Sequence, residues 1–277
     1  MRPASSHTAD RAKTPGKTQA ETPAGAPPRE VARAVVSEPV GKISDAHSDA
    51  HSDAHRGRHS EADIPKLLSE PTEVARREAS NALAQYDALL AEIERGVARR
   101  ARGERYRLRP STILALHRAA VEGIDRFAGA YRPGGVSISR STHTPPPAEE
   151  VAARIEDLCD WVNDSWEDAD PVELAARVLW DLCWIHPFTD GNGRTARAVA
   201  YLVLSVAYGL VLPGGLSIPE QISRDRRPYY AALEAADRAF EQTGERDVGA
   251  LQDYLGGLLL AQLQDARGTG HMAKAPA

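Results

Sequence analysis

His186-Pro187-Phe188-Thr189-Asp190-Gly191-Asn192-Gly193-Arg194, followed by Thr195-Ala196-Arg197, is the stretch on which the reading of this chain turns. Asp190 is a hard oxygen donor of the kind Mg²⁺ takes when it carries nucleotide phosphates. Gly191, Asn192 and Gly193 stand where a loop enters a helix, so bare backbone N–H groups and the helix dipole face an incoming anion. Arg194 and Arg197 are three apart and share one side of that helix's first turn, where two guanidinium forks can grip a polyphosphate. His186 is the group nearby whose ordinary pKa lies near neutrality, which suits a general base. Phe188 reads as an apolar anchor for the loop.

Outward from this stretch the texture is helical. Asp170-Pro171 supplies an N-cap and a first-turn proline for a helix carrying Leu174, Ala175, Val178, Leu179 and Leu182. A helix is expected over 193–208, and further ones over 229–242 and 248–264, the last dozen residues being a frayed tail. On the N-terminal side, residues 73–93 form one helix, and an arginine-rich connector follows that reads as solvated surface. Pro110-Ser111 opens a helix whose apolar positions Ile113, Leu116, Ala120, Ile124 and Phe127 step by three and four until Arg132-Pro133-Gly134-Gly135 stops it. Residues 136–144 alternate and are rich in β-branched and hydroxyl side chains, as a short hairpin would be. Pro145-Pro146-Pro147 opens a helix with Val151, Ile155, Leu158 and Val162 as its buried stripe. The fold class expected is all-α, a helical bundle with one small β-hairpin.

Composition sets limits on the rest. Hydrophobic residues at 42% and charged residues at 26% are ordinary for a globular protein, and a net charge of −5 gives no reason to expect nucleic acid or membrane as a partner. The longest uncharged run, 198–219, is broken by Pro213-Gly214-Gly215, leaving 198–212 as its apolar part, short of the ~20 residues a membrane-spanning helix needs, so it reads as a buried core helix. Cys159 and Cys183 lie in apolar helical surroundings and read as free thiols of a reducing compartment. With no signal-peptide pattern at the start, a cytoplasmic location is expected, secretion as an effector remaining open.

Residues 1–66 read as a disordered low-complexity tail, with no aromatic residue before Tyr86 and recurrent proline. Within it Ser-Asp-Ala-His repeats three times, placing His47, His51 and His55 four apart, a slipped repeat in a solvated tail rather than a metal site.

The central stretch resembles the Fic signature, His-Pro-Phe-x-[Asp/Glu]-Gly-Asn-[Gly/Lys]-Arg, at every specified position. The resemblance runs over about 108–263, leaving 67–107 as an N-terminal helical segment with its connector and 264–277 as a tail. Gly129-Ala130-Tyr131-Arg132, Trp184-Ile185 and Arg226-Arg227-Pro228-Tyr229-Tyr230 are also similar to the family, and Val136, Ser137, Ile138 and Ser139 resemble its target-aligning flap. The resemblance implies a Fic-type bundle and a protein adenylyltransferase: ATP as co-substrate, Mg²⁺ held by Asp190, and the phosphates on Gly191, Asn192, Gly193, Arg194 and Arg197. His186 would act as base toward a Ser, Thr or Tyr hydroxyl of a protein that the flap binds by strand addition. A regulatory partner or a homo-oligomer would be in keeping with the family.

Two alternatives stay open on the same residues: transfer of another nucleotide or phosphate-bearing group, or removal of AMP, and a binding module without catalysis. Family members that phosphorylate have lysine where Gly193 stands, which disfavours that variant here. Many Fic proteins also carry an inhibitory helix, [Ser/Thr]-x-x-x-Glu-[Gly/Asn], whose glutamate pairs with the second motif arginine. The nearest match is Arg76-Arg77-Glu78-Ala79-Ser80-Asn81, with Ser80 in the glutamate's place. That register leaves Arg197 without an acidic partner, unless Glu78 substitutes by a shift. His117, His143 and the four tryptophans read as structural, and Tyr229 and Tyr230 as core residues rather than an adenine platform.

Overall fold

The computed structural model describes Arg58, residues 60–62 and residues 67–272. The histidine repeat lies outside the described residues. Two short strands, β1 (Ser60–Glu61) and β2 (Ser137–Ile138), accompany the helices α1 (Pro71–Ala101), α2 (Pro110–Val121), α3 (Val151–Ser165), α4 (Pro171–Ile185), α5 (Asn192–Tyr208), α6 (Ile218–Arg224), α7 (Arg227–Thr243) and α8 (Gly249–Met272). The helical class holds.

The centre of the bundle is the pair α4 and α5, joined by the signature loop and packed on each other. Asp170 caps α4 as its sequence implies, its Oδ1 accepting from the N–H groups of Val172 (2.8 Å) and Glu173 (3.3 Å). The uncharged run from Ala198 is buried as far as Val206, as a core helix, while Tyr208 and Leu210 beyond it are exposed. Around this pair stand α1 and α2 on one side and α3, α7 and α8 on the others. Helix α1 reaches α5 closely because residue 96 is glycine: a Cβ there would sit 2.7 Å from a Val206 methyl. Buried amides tie α1 to α2, Asn81 donating to the Glu122 carbonyl (3.0 Å) and Gln85 to that of Leu116 (3.1 Å).

Several boundaries differ from the sequence reading. Helix α1 continues through Arg95, Arg99 and Arg100, so the front of the expected connector is helix. Helix α2 stops at Val121, because Gly123 takes a left-handed φ of 74° and the chain turns to bury Ile124. Helix α8 runs to Met272 rather than fraying before it. Cys159 is buried and both cysteines are free. Among the described residues no helix is long and apolar enough to cross a membrane.

The expected hairpin takes another form. After β2 the chain turns, Ser141 N–H donating to the Ile138 carbonyl (3.2 Å), and the second arm leaves for α4, where the His143 Nε2 contacts the Trp184 carbonyl (2.7 Å). The antiparallel partner of β2 is β1, in the register Ser60 to Ile138 and Glu61 to Ser137. Ser60–Glu61 lies inside the segment whose composition gives it little to bury. What orders it is backbone pairing and the polar contacts described below.

Candidate active site

His186 closes α4 in a left-handed conformation, φ 51° and ψ 59°, an unfavourable backbone for a side chain that carries a Cβ. Arg132 holds it there. Its guanidinium is buried (3% exposed) and is satisfied by carbonyls: Nε donates to His186 O (2.9 Å), Nη1 to Gly134 O (2.8 Å) and Nη2 to Pro146 O. The Arg132 N–H adds a bond to Pro187 O (2.9 Å). On the imidazole, Nδ1 lies 3.3 Å from the Cys183 carbonyl. A carbonyl only accepts, so Nδ1 carries the proton and Nε2 presents its lone pair. Burial pushes the His186 pKa down to about 4, which keeps the ring neutral near pH 7.

The loop that follows is fixed from both sides. Phe188 is fully buried and stacks on His117, ring centroids 3.6 Å apart and nearly parallel. His117 Nδ1 accepts from Gly129 N–H (3.1 Å), so its Nε2–H donates to the Asp190 carbonyl (3.1 Å). Asn192 brackets Phe188 with one side chain, Oδ1 accepting from its N–H (2.9 Å) and Nδ2 donating to its carbonyl (2.8 Å). Gly191 caps α5 with φ 73°, and a Cβ on it would meet a Val121 methyl at 2.6 Å.

Asp190, Arg194 and Arg197 then border one cavity of about 650 Å³, together with His186, Gly191, Asn192 and Gly193. Asp190 is 45% exposed; Oδ1 accepts from Gly191 N–H (2.6 Å) and Oδ2 from Arg194 Nη2 (3.1 Å). Arg197 lies against Gly193, and burial lowers its pKa, with Arg226 adding repulsion. Among the described residues no hydrogen-bond or ion-pair partner meets its guanidinium. Among them, too, no three His, Cys, Asp or Glu side chains converge as a closed metal site. A half-exposed carboxylate at the rim of the cavity nonetheless fits Mg²⁺, which is held through one or two carboxylates plus substrate phosphates.

The flap side of the cavity is occupied by β1. Ser60 Oγ lies 2.8 Å from His186 Nε2 and accepts from Asn192 Nδ2 (3.0 Å). Of the flap residues expected from sequence, Ser137 and Ile138 make the strand, while Val136 and Ser139 flank it, half-buried. Tyr230 O–H accepts from Arg58 N–H (3.0 Å), whereas Tyr229 is a core residue whose hydroxyl meets Cys183 Sγ (3.1 Å). Sequence reasoning missed Ser60, Arg58 and the part played by Arg132; no local signal marks the first two.

The expected register of the inhibitory helix is corrected. Glu78 and Ala82, one turn apart, face the cavity, while Ser80 is exposed and does not line it. Glu78 Oε1 lies 3.5 Å from Nη1 of Arg194, the first motif arginine rather than the second.

A sequence profile of the Fic/DOC family matches residues 107–204. The Caenorhabditis elegans protein named protein adenylyltransferase fic-1 is 34% identical over 155 residues, which span 53% of this chain and 28% of that protein. Protein adenylyltransferase Fic of Nematostella vectensis is 37% identical over 129 residues, 45% of this chain and 28% of the relative. The chain thus spans less than a third of the length of these curated relatives. Among solved structures, Fic-1 (residues 134–508) from C. elegans superposes with a TM-score of 0.56 at 25% identity, covering 75% of this chain and 56% of that one. A Fic domain containing signaling protein from Bacteroides thetaiotaomicron shares the fold, with a TM-score of 0.50 at 24% identity over 67% of this chain and 72% of its own. Residues 107–204 thus match the Fic/DOC family, and the fold around them is similar to that of solved Fic proteins.

Proposed function

We propose that this chain transfers AMP from ATP to a hydroxyl side chain of a protein, with His186 as general base. The observation that carries the reading is the lone pair of His186 Nε2, aimed at a hydroxyl (2.8 Å) at the edge of a cavity lined by Arg194, Arg197 and the N-terminus of α5. The names of the relatives, protein adenylyltransferase, support the same reaction.

His186 takes the proton from the acceptor hydroxyl at Nε2 while its Nδ1–H stays on the Cys183 carbonyl. Arg132 keeps the ring in position from behind. The N–H groups of the α5 N-terminus and the two arginines bind the phosphates and orient the α-phosphorus in line with the incoming oxygen. Asp190 would hold Mg²⁺, which would supply positive charge to offset that of the phosphates. Gly193 keeps the anion's approach open, since a Cβ there would stand 3.1 Å from Arg197 Nη1. Strand β2 would take an extended segment of the target by backbone pairing.

The test is incubation with ATP labelled at the α-phosphate, Mg²⁺ and a host lysate, followed by mass spectrometry of labelled proteins. AMP on hydroxyl side chains, lost in His186→Ala, is the expected result. Phosphate in place of AMP on the modified side chains, with no α-label incorporated, would overturn the reading.

A further inference from the structure

The segment that lies along the flap belongs to the chain itself, and it presents a hydroxyl where an acceptor belongs. Ser60 Oγ is 2.8 Å from His186 Nε2, the one imidazole nitrogen free to accept, and takes a hydrogen bond from Asn192 Nδ2 at 3.0 Å. With its oxygen accepting from Asn192, the Ser60 proton points to His186. The segment is fixed on both sides of that contact. Glu61 and Ser60 pair with β2. Arg58 donates its N–H to the Tyr230 hydroxyl (3.0 Å), forms an ion pair with Glu234, and lays its guanidinium over the Tyr230 ring, 4.7 Å from the centroid. A strand anchored by backbone pairing on one side of a serine and by an arginine clamp on the other is presented as a substrate is.

We propose that Ser60 is an acceptor of this chain's own transfer reaction, modified in cis by AMP. The proposal rests on the AMP-transfer reading above. As the Ser60 O–H proton passes to His186 Nε2, a bond forms from Oγ to the α-phosphorus of ATP, and the bond from that phosphorus to the oxygen bridging to the β-phosphate breaks. Pyrophosphate leaves with that electron pair, Ser60 holds AMP as a phosphodiester, and His186 returns its proton to solvent. Because base and acceptor sit on one chain in hydrogen-bond contact, the reaction is unimolecular once ATP is bound. The same occupancy means that an outside target must displace β1 from β2 before it can be modified.

The experiment uses the full chain with α-labelled ATP and Mg²⁺, with peptide mapping of the product, and the same mixture with host lysate added. The expected result is one AMP on Ser60, formed at a rate per molecule unchanged by dilution. Ser60→Ala loses that label and Ser60→Thr keeps it, both with an unaltered thermal midpoint. AMP on lysate proteins but none on Ser60 overturns this proposal alone. A Ser60 label whose rate per molecule falls with dilution overturns the cis assignment. AMP nowhere in either mixture overturns this proposal and the AMP-transfer reading together.

Discussion

Arg132 Nε donates to the backbone carbonyl of His186 at 2.9 Å, a bond between residues 54 apart that fixes His186 through its backbone rather than its ring. Among the described residues the side chain has no acidic partner in contact: burial lowers its pKa, and the carbonyls of His186, Gly134 and Pro146 accept its hydrogen bonds. A lysine offers one nitrogen and cannot span the three directions of the guanidinium. Each carbonyl left unpaired costs about 1–3 kcal/mol. Arg132→Lys is therefore expected to lower the thermal midpoint by several degrees and to reduce kcat with little change in KM for ATP. An unchanged kcat would mean that His186 holds its left-handed backbone without Arg132.

Burial of His186 fixes the direction of the pH dependence. The base role proposed for His186 needs the neutral ring, and the pKa is lowered from an ordinary 6.5 to about 4. Activity should stay level from pH 8 down through the ordinary histidine range and fall only below about pH 5. Stability follows the same sign. Between 6.5 and about 4 the unfolded chain binds this proton first, so the unfolding free energy drops as pH falls through that window. A rate profile with its midpoint near 6.5 would show that the ring is solvated in the working enzyme. His186→Ala should lose at least ~10²-fold in rate while still binding ATP.

What was legible in the sequence was what chain proximity or helical spacing decides. Asp170 as the cap of α4, the buried stripe of α5, and Asp190, Gly191, Gly193, Arg194 and Arg197 around one cavity are separated by a few residues each, so their juxtaposition follows from one loop and one helix turn. What stayed hidden is long-range. Ser60 and His186 are 126 residues apart, and Ser60 stands in a segment whose composition argues against packing; backbone pairing to β2 needs no apolar side chain and so left no trace there. The end of α2 was hidden for a related reason: the apolar spacing continues to Phe127, but Gly123 and the Asn81 bond to the Glu122 carbonyl turn the chain first.

Gly191 and Gly209 separate strain from crowding. Both take a left-handed φ, 73° and 72°, at the two ends of α5, but a Cβ meets Val121 at 2.6 Å on Gly191 and nothing within 4 Å on Gly209. Gly209→Ala should cost roughly 1 kcal/mol from backbone conformation alone. Gly191→Ala should cost more and should also weaken ATP binding, because the loop must move away from α2 and takes the N–H groups of the cradle with it. Denaturant midpoints of the two variants and titration with ATP check this. Equal destabilisation with intact ATP binding would show that α2 yields freely.

The last expectation concerns Glu78, whose carboxylate stands 3.5 Å from Arg194 Nη1 at the rim of the cavity. It competes with phosphate for that guanidinium, as an inhibitory carboxylate would, but the contact is long and the Glu78 side chain is 48% exposed. Arg194 also keeps its closer bond to Asp190, 3.1 Å. Exposed ion pairs of this kind are worth about 0.2–1 kcal/mol, so Glu78 can raise the apparent KM for ATP by less than about fivefold and cannot silence the protein. The wild-type chain is expected to be active in isolation, and Glu78→Ala to lower KM for ATP within that limit at unchanged kcat. Ser80→Glu, two residues along α1 and exposed, should change neither, because a carboxylate there points away from the cavity. Initial rates of AMP transfer against ATP concentration for the three proteins decide the matter. A silent wild type released by Glu78→Ala would mean that Glu78 swings inward to hold the site shut, and suppression by Ser80→Glu would mean that α1 sits in another register.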